Sequence, residues 1–185
     1  MFNLKLFRAL GLLALLAVAG FAQSSTAFAQ AGDDHRAPDL PPLCDNLQAP
    51  QGHIVSAHVY ALGVQIYRWN GGSWDFVAPL AKLFADAGYH GVVGTHYAGP
   101  TWESNSGSKV VGTHAAPPCF ADPASIPWLL LRKVSSEGPG IFSHVTYIQR
   151  LNTVGGTAPA TPGAFTGAEA RVPYTAEYFF YRAEN

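Results

Sequence analysis

The sequence predicts an all-β domain, an antiparallel β-sandwich or barrel, with at most one short helix. Short runs of alternating apolar and polar residues indicate strands, and Gly- and Pro-rich segments separate them. The 185 residues include 19 Gly and 14 Pro, whereas only 12% are charged. This composition excludes a coiled coil, a long helical bundle and a highly charged disordered chain.

Residues 1–29 are predicted to be a secretory signal peptide that is not part of the fold. Lys5 and Arg8 precede an apolar run over 9–22, and Ala27-Phe28-Ala29 is typical of a cleavage site. The 14-residue run is shorter than the roughly 20 residues that span a bilayer. We therefore expect a secreted protein, periplasmic or extracellular, with no stable membrane span after cleavage.

The mature chain is predicted to comprise an extended leader over 30–50 and a single β-rich domain over 51–185. Loss of Lys5 and Arg8 from the 11 basic residues leaves 9 against 12 acidic ones, a net charge of −3. Such a charge does not favour a nucleic-acid partner.

The chain has two cysteines, Cys44 and Cys119. In an oxidising compartment an even count predicts a disulfide, and two separate buried thiols are the alternative. Neither cysteine belongs to a C-x-x-C pair of the kind that binds zinc.

The first half of the domain begins with strand patterns. His53–Leu62 is rich in β-formers, and alternation continues over 64–69 until the turn-forming residues Asn70-Gly71-Gly72-Ser73. A return strand begins at Trp74–Val77. The spacing of Leu80, Leu83, Phe84 and Ala87 fits a short helix, or a strand that turns at residues 87–91, and periodicity leaves both open.

The second half contains longer strand patterns. Ile126–Val134 is typical of a central strand with Trp128 in the core, and Ile141–Leu151 alternates as one strand. A long loop over 152–170 precedes Val172–Arg182. In this last strand one face carries Val172, Tyr174, Ala176, Tyr178 and Phe180.

The densest polar and aromatic segment runs from residue 96 to residue 108 and predicts a ligand pocket. His96 is a candidate general base or metal ligand, and Glu103 is a candidate acid. Tyr97 and Trp102 offer flat aromatic faces, and Ser108 offers a hydroxyl donor. The alternative is structural, with turns at the Gly-Pro and Asn-Ser-Gly-Ser sequences and with Trp102 in the core.

Arg150 completes the candidate pocket, because its guanidinium is suited to hold a carboxylate or phosphate. An arginine in a strand more often pairs with a local acid, and Glu177 on the last strand is the expected partner. Trp69 and Trp74 flank the 70–73 turn and would offer a glycan platform if their rings were exposed and coplanar.

No cofactor is predicted. Six histidines of the domain, at 53, 58, 90, 96, 114 and 144, have no metal-binding spacing such as H-E-x-x-H. A divalent metal held by histidines brought together in the fold is the weaker alternative.

Several phrases in fixed order resemble domain-of-unknown-function family 3455, which contains secreted bacterial and fungal proteins without an established activity. The resemblance covers about residues 50–182 and rests on Gly63-Val64-Gln65-Ile66-Tyr67, His96-Tyr97-Ala98-Gly99-Pro100-Thr101-Trp102-Glu103, Ile126-Pro127-Trp128 and Ile148-Gln149-Arg150-Leu151-Asn152. It implies a secreted single domain and supplies no catalytic residues.

Three functions stay open on the sequence alone. The leading hypothesis is a non-enzymatic module that binds a small molecule or glycan, or associates with the envelope or surface. The alternatives are a metal-dependent or acid/base enzyme centred on His96 and Glu103, and a purely structural extracellular protein. Convergence of His96, Trp102, Glu103 and Arg150 on one cleft would favour the first two.

Overall fold

A computed structural model describes residues 37–184, which form a closed barrel of eight antiparallel strands. Each strand pairs with the next along the chain, and the last pairs with the first. The barrel form of the predicted all-β class is therefore confirmed. The strands are β1 (His53–Trp69), β2 (Trp74–Phe84), β3 (Val92–Tyr97), β4 (Thr101–Ser104), β5 (Lys109–His114), β6 (Leu129–Glu137), β7 (Tyr147–Gly155) and β8 (Glu169–Ala183).

The β1–β2 hairpin turns at the predicted residues 70–73. The side-chain Oδ1 of Asn70 accepts hydrogen bonds from the backbone N–H groups of Gly72 and Ser73, each at 2.9 Å. The ambiguous segment from Leu80 onward continues β2 through Phe84 and then turns. It is a strand because it pairs with β1 in register, with Leu80 opposite Val64.

Side chains alternate between the inside and the outside along each strand, so the inward side chains of all the strands form the barrel interior. The interior cluster combines the inward residues of β8 with those of strands around the barrel, and Trp102, Tyr174 and Tyr178 are its largest members. The shared face predicted for the last strand is confirmed from Tyr174 to Phe180, and it points into the barrel. Gly63 permits close approach of β1 and β2, because a Cβ there would overlap the carbonyl oxygen of Leu80.

The two ends of the barrel differ. At one end, the plugged end, the β6–β7 connection folds inward and buries Phe142 and Val145. The predicted strand over Ile141–Leu151 is thus wrong before Tyr147, where the chain forms this plug instead. At the other end, the cavity end, the turns 70–73 and 98–100 and the longer segments 115–128 and 156–168 surround an opening.

A second apolar cluster covers the outside of the barrel wall. A 3-10 helix, Pro42–Leu47, lies there with Cys44 and Leu47 fully buried, so the described part of the predicted leader is not simply extended. The predicted disulfide Cys44–Cys119 is confirmed, with Cα atoms 5.5 Å apart. Trp128 packs partly buried on this outer cluster and not in the barrel interior.

The predicted signal peptide, residues 1–29, and the start of the leader lie outside the described residues. Within residues 37–184, no helix is long and apolar enough to cross a membrane.

Candidate functional site

The cavity end contains a cavity of about 250 Å³ between the strands. Its volume is several times the roughly 30 Å³ that one water molecule takes in the liquid. The walls are mostly apolar, with a few polar side chains among them. The lining residues are Gln65, Tyr67, Phe76, Pro79, His96, Pro100, Trp102, His114, Ile126, Pro127, Leu129, Leu131, Arg150 and Tyr178.

His96 lies at the inner wall of this cavity, 2% exposed. Its Nδ1–H donates to the carbonyl oxygen of Thr101 at 2.8 Å, and its ring stacks on Trp102 with centroids 4.4 Å apart. Burial lowers the pKa of His96 to about 3, with the nearby Arg150 charge acting in the same direction. The imidazole is therefore neutral near pH 7, and Nε2 is left as a hydrogen-bond acceptor.

Three buried polar atoms of cavity-lining residues have no hydrogen bond of good geometry within the described part of the chain. They are the amide Nε2 of Gln65, the indole Nε1 of Trp102 and the hydroxyl of Tyr178. The Tyr178 hydroxyl interacts with the Arg150 guanidinium and with the neighbouring hydroxyl of Tyr174, which likewise lacks a hydrogen bond of good geometry. Such atoms are uncommon in folded proteins, because leaving one unpaired costs about 1–3 kcal/mol.

Arg150 brings a positive charge to the cavity wall. Its Nε and Nη2 donate to the carbonyl oxygen of Pro127 at 3.1 and 2.7 Å. The expected ion pair with Glu177 is wrong, since Glu177 faces outward, where it pairs with His58 at 2.8 Å and accepts from Asn152 at 3.0 Å. Within residues 37–184, no carboxylate forms an ion pair with Arg150.

The Arg150 charge acts on the other polar groups around the cavity. Burial raises the pKa of Tyr178, and the Arg150 guanidinium opposes this rise. The same balance of burial against Arg150 holds for the pKa of Tyr67, whose hydroxyl donates to the carbonyl of Gly156 at 2.7 Å. No carboxylate appears among the lining residues of the described chain, and Arg150 supplies a permanent positive charge there.

The predicted pocket residues are only partly brought together. His96, Trp102 and Arg150 line the cavity, whereas Tyr97 and Glu103 lie on the outer surface. There the Tyr97 hydroxyl donates to Glu103 at 2.6 Å, and this bond raises the pKa of Tyr97. Neighbours along a strand point to opposite sides, so a site centred on both His96 and Glu103 does not form.

Ser108 is far from the cavity in the fold, at the plugged end. It is fully buried, and its Oγ accepts the backbone N–H of Phe142 at 2.9 Å. This contact ties the β4–β5 turn to the plug, which is a structural role.

The proposed aromatic platform has the wrong geometry. The rings of Trp69 and Trp74 meet edge to face, with an interplanar angle of 62°. Trp74 donates from Nε1 to the carbonyl of Thr161, and Gly163 lies against Trp69. The 156–168 segment therefore packs on both rings, and the coplanar pair that a sugar ring would need is not formed.

The histidines do not gather into one site. Of the six, His96 and His114 line the cavity. Within residues 37–184, no group of three or more His, Cys, Asp and Glu side chains is arranged to hold a metal ion.

Sequence reasoning missed several lining residues, above all Gln65, Tyr67 and Tyr178. In β1 the polar Gln65 and the aromatic Tyr67 face inward, while Val64 and Ile66 face outward and are half-buried. Hydrophobicity alone would choose the opposite face. The sequence pattern did place Tyr178 on one face of the last strand together with Tyr174 and Phe180. This concentration of aromatic rings on one face was the signal that could have indicated a lining residue.

The fold and cavity together define a class, a closed eight-stranded β-barrel with a small, mostly apolar cavity at one end. The family model described as "Protein of unknown function (DUF3455)" matches residues 50–182. The chain belongs to this family, and the matched residues include the whole cavity wall. No curated protein and no solved structure matches the chain.

Proposed function

We propose that this protein is an exported, non-enzymatic binding protein that takes one small molecule into the cavity end of its barrel. Barrels of eight strands have interiors just wide enough to be filled by side chains or to hold one small ligand. The observation that carries the proposal is a cavity of about 250 Å³ whose mostly apolar lining residues include the Arg150 guanidinium and two side chains with unpaired donors, Gln65 and Trp102. An apolar cavity with a few converging polar groups is the usual form of a ligand site.

A binding role fits the cavity better than acid/base catalysis. His96 is held by Thr101 and has its pKa lowered to about 3, so near pH 7 it is no proton donor. Glu103, the acid that would pair with it, bonds to Tyr97 outside the barrel. Efficient general acid–base groups have pKa values near the working pH and lie together on the substrate.

Export is supported by two features of the chain. The N-terminal sequence has the charge, apolar run and cleavage motif of a signal peptide. The Cys44–Cys119 disulfide is compatible with an extracellular protein, since such bonds persist in oxidising compartments.

The test is a calorimetric titration of the full chain, expressed for export and purified in its oxidised form, with neutral probes. We choose benzamide and 2-naphthamide, which combine a small apolar body with a carbonyl acceptor. Leu129, on the cavity wall and 7% exposed, is changed to Trp to fill the cavity. Val134 on the same strand is 60% exposed, and Val134→Trp is the matched control.

We expect at least one amide to bind the wild type and Val134→Trp with a negative heat-capacity change, as burial of apolar surface requires. Leu129→Trp should weaken that binding at least tenfold while keeping a cooperative unfolding transition. Absence of binding by both amides and by the corresponding carboxylates, benzoate and 2-naphthoate, or equal binding by both tryptophan variants, would overturn the proposal and favour the purely structural alternative.

A further inference from the structure

We propose that the ligand of the cavity end carries a carboxylate on an apolar body, and that Arg150 holds the carboxylate. This inference rests on the proposed function and specifies its ligand. It follows from the charge, the donor set and the shape of the cavity wall.

The charge of Arg150 has no anionic counterpart in the described fold. The nearby acids are engaged elsewhere, Glu177 with His58 and Glu103 with Tyr97 and Lys109. A half-buried cation without a partner is unfavourable, because burial removes part of its hydration. An anion entering the cavity would supply the missing counter-charge.

Arg150 retains hydrogen-bonding capacity for such an anion. A guanidinium has five N–H donors, and the bonds to the carbonyl of Pro127 use one on Nε and one on Nη2. The same two bonds hold the side chain in place, so a ligand would meet a donor group that is already oriented. Preorganised donors lose less conformational entropy on binding.

Hydrogen-bond donors on residues that line the cavity favour a ligand that offers acceptors. The Nε2 of Gln65 and the Nε1 of Trp102 can only donate hydrogen bonds, and the hydroxyl of Tyr178 can donate as well. A carboxylate offers two oxygens with about four acceptor positions. A ligand rich in donors, such as an amine, would leave these atoms unpaired and would face the Arg150 charge.

The rest of the wall selects an apolar body with a single charge. Pro79, Ile126, Leu129 and Leu131 surround the space beside Arg150. The buried His96 is neutral near pH 7 and adds no second positive charge, and the other lining histidine, His114, is exposed to solvent. A doubly charged phosphate would therefore be only half compensated, whereas one carboxylate matches one guanidinium in charge and in planar geometry.

The test compares two probes with the same body, 2-naphthoate and 2-naphthamide, together with the smaller pair benzoate and benzamide. Arg150→Gln removes the charge and keeps an amide donor near the carbonyl of Pro127. Arg68→Gln is the matched control, because Arg68 is an exposed arginine that pairs with Glu169 on the outer surface. Affinities are measured by calorimetry at pH 7 in fixed salt.

We expect the wild type and Arg68→Gln to bind the carboxylate about 10- to 100-fold more tightly than the amide, the range of charge-assisted hydrogen bonds. In Arg150→Gln this preference should fall to about one, mainly through loss of carboxylate affinity. Retained amide binding by Arg150→Gln reports that the cavity is still formed.

Other outcomes separate the two proposals. If the amides bind but the carboxylates bind no better, the carboxylate inference is overturned and the binding function stands. If a preference exists but survives in Arg150→Gln, Arg150 is not the anchor and the inference is equally overturned. If no probe of either kind binds, both proposals fail.

Discussion

The two ends of the barrel are built by the same strand alternation but are completed in opposite ways. At the plugged end, Phe142 and Val145 enter the interior from the 138–146 connection, and Phe142 packs 4.6 Å from Phe180 between ring centroids. At the cavity end, the 115–128 segment covers the rim with Ile126 and Pro127 and leaves about 250 Å³ open. The comparison shows that the connections, not the strands, decide whether this barrel is filled.

The polar atoms follow the same division. Ser108 at the plugged end is paired with the backbone of Phe142, so its burial completes a hydrogen bond. Tyr178 and Trp102, whose residues line the cavity, are buried without hydrogen bonds of good geometry in the described fold. The plugged end thus pairs its buried polar group, whereas the cavity end contains buried polar groups that are not well paired.

The largest expected effect is at the plug. Phe142→Ala should lower the free energy of unfolding by about 3–5 kcal/mol, because it removes a buried aromatic ring and leaves a cavity. Phe165, which is 68% exposed, provides the matched control, and Phe165→Ala should change stability by about 0.5 kcal/mol or less. Urea unfolding of both variants measures the difference. A loss below about 1 kcal/mol for Phe142→Ala would show that the plug does not support the barrel.

A second prediction uses the neutral His96 of the cavity end. The pKa of His96 is about 3 in the folded state, against about 6.5 in the unfolded state. Between these values the unfolded chain binds a proton that the folded chain does not, so stability falls as pH falls from about 6.5 toward 3.

The contribution of His96 to this loss should reach about 3 kcal/mol at pH 4. His96→Asn keeps an N–H donor for the carbonyl of Thr101 and removes the titrating ring. Urea unfolding at pH 7 and pH 4 should therefore show a smaller loss for His96→Asn than for the wild type. Equal losses would mean that His96 is accessible to protons in the folded barrel.

The smallest effects give the sharpest contrast between the ends. Ser108→Ala leaves the buried N–H of Phe142 unpaired and should cost about 1–3 kcal/mol. Tyr178→Phe removes a hydroxyl that makes no hydrogen bond of good geometry and should leave the free energy of unfolding within about 0.5 kcal/mol of the wild type, or raise it. Both are measured by urea unfolding of the ligand-free protein. The reverse order of the two costs would contradict the division between the ends.

Much of the fold was predictable because it depends on local sequence. The Asn70-Gly71-Gly72-Ser73 turn, the absence of long apolar helical patterns and the set of residues that share one face of the last strand are properties of short segments. The Cys44–Cys119 bond was predictable because only two cysteines were available. The segment from Leu80 to Ala87 was not, since its strand state depends on pairing with Val64, which is distant in the chain.

The candidate site was predictable only in part, because local sequence shows residue types but not how the fold groups them. His96, Trp102 and Arg150 were singled out by residue type, but their neighbours Tyr97 and Glu103 point the other way, and Ser108 lies at the other end. Spacing along a strand shows which residues share a face, yet it does not show which face is inside.

By itself, the sequence determined the all-β class, the disulfide, the hairpin turn and the residue types available for a pocket. Only the tertiary structure decided that the sheet closes through β1 and β8, that Gln65 faces inward and that Arg150 has no acidic partner. The physical reason is that closure and burial depend on contacts between segments far apart in the chain. Local patterns limit those contacts but do not select them.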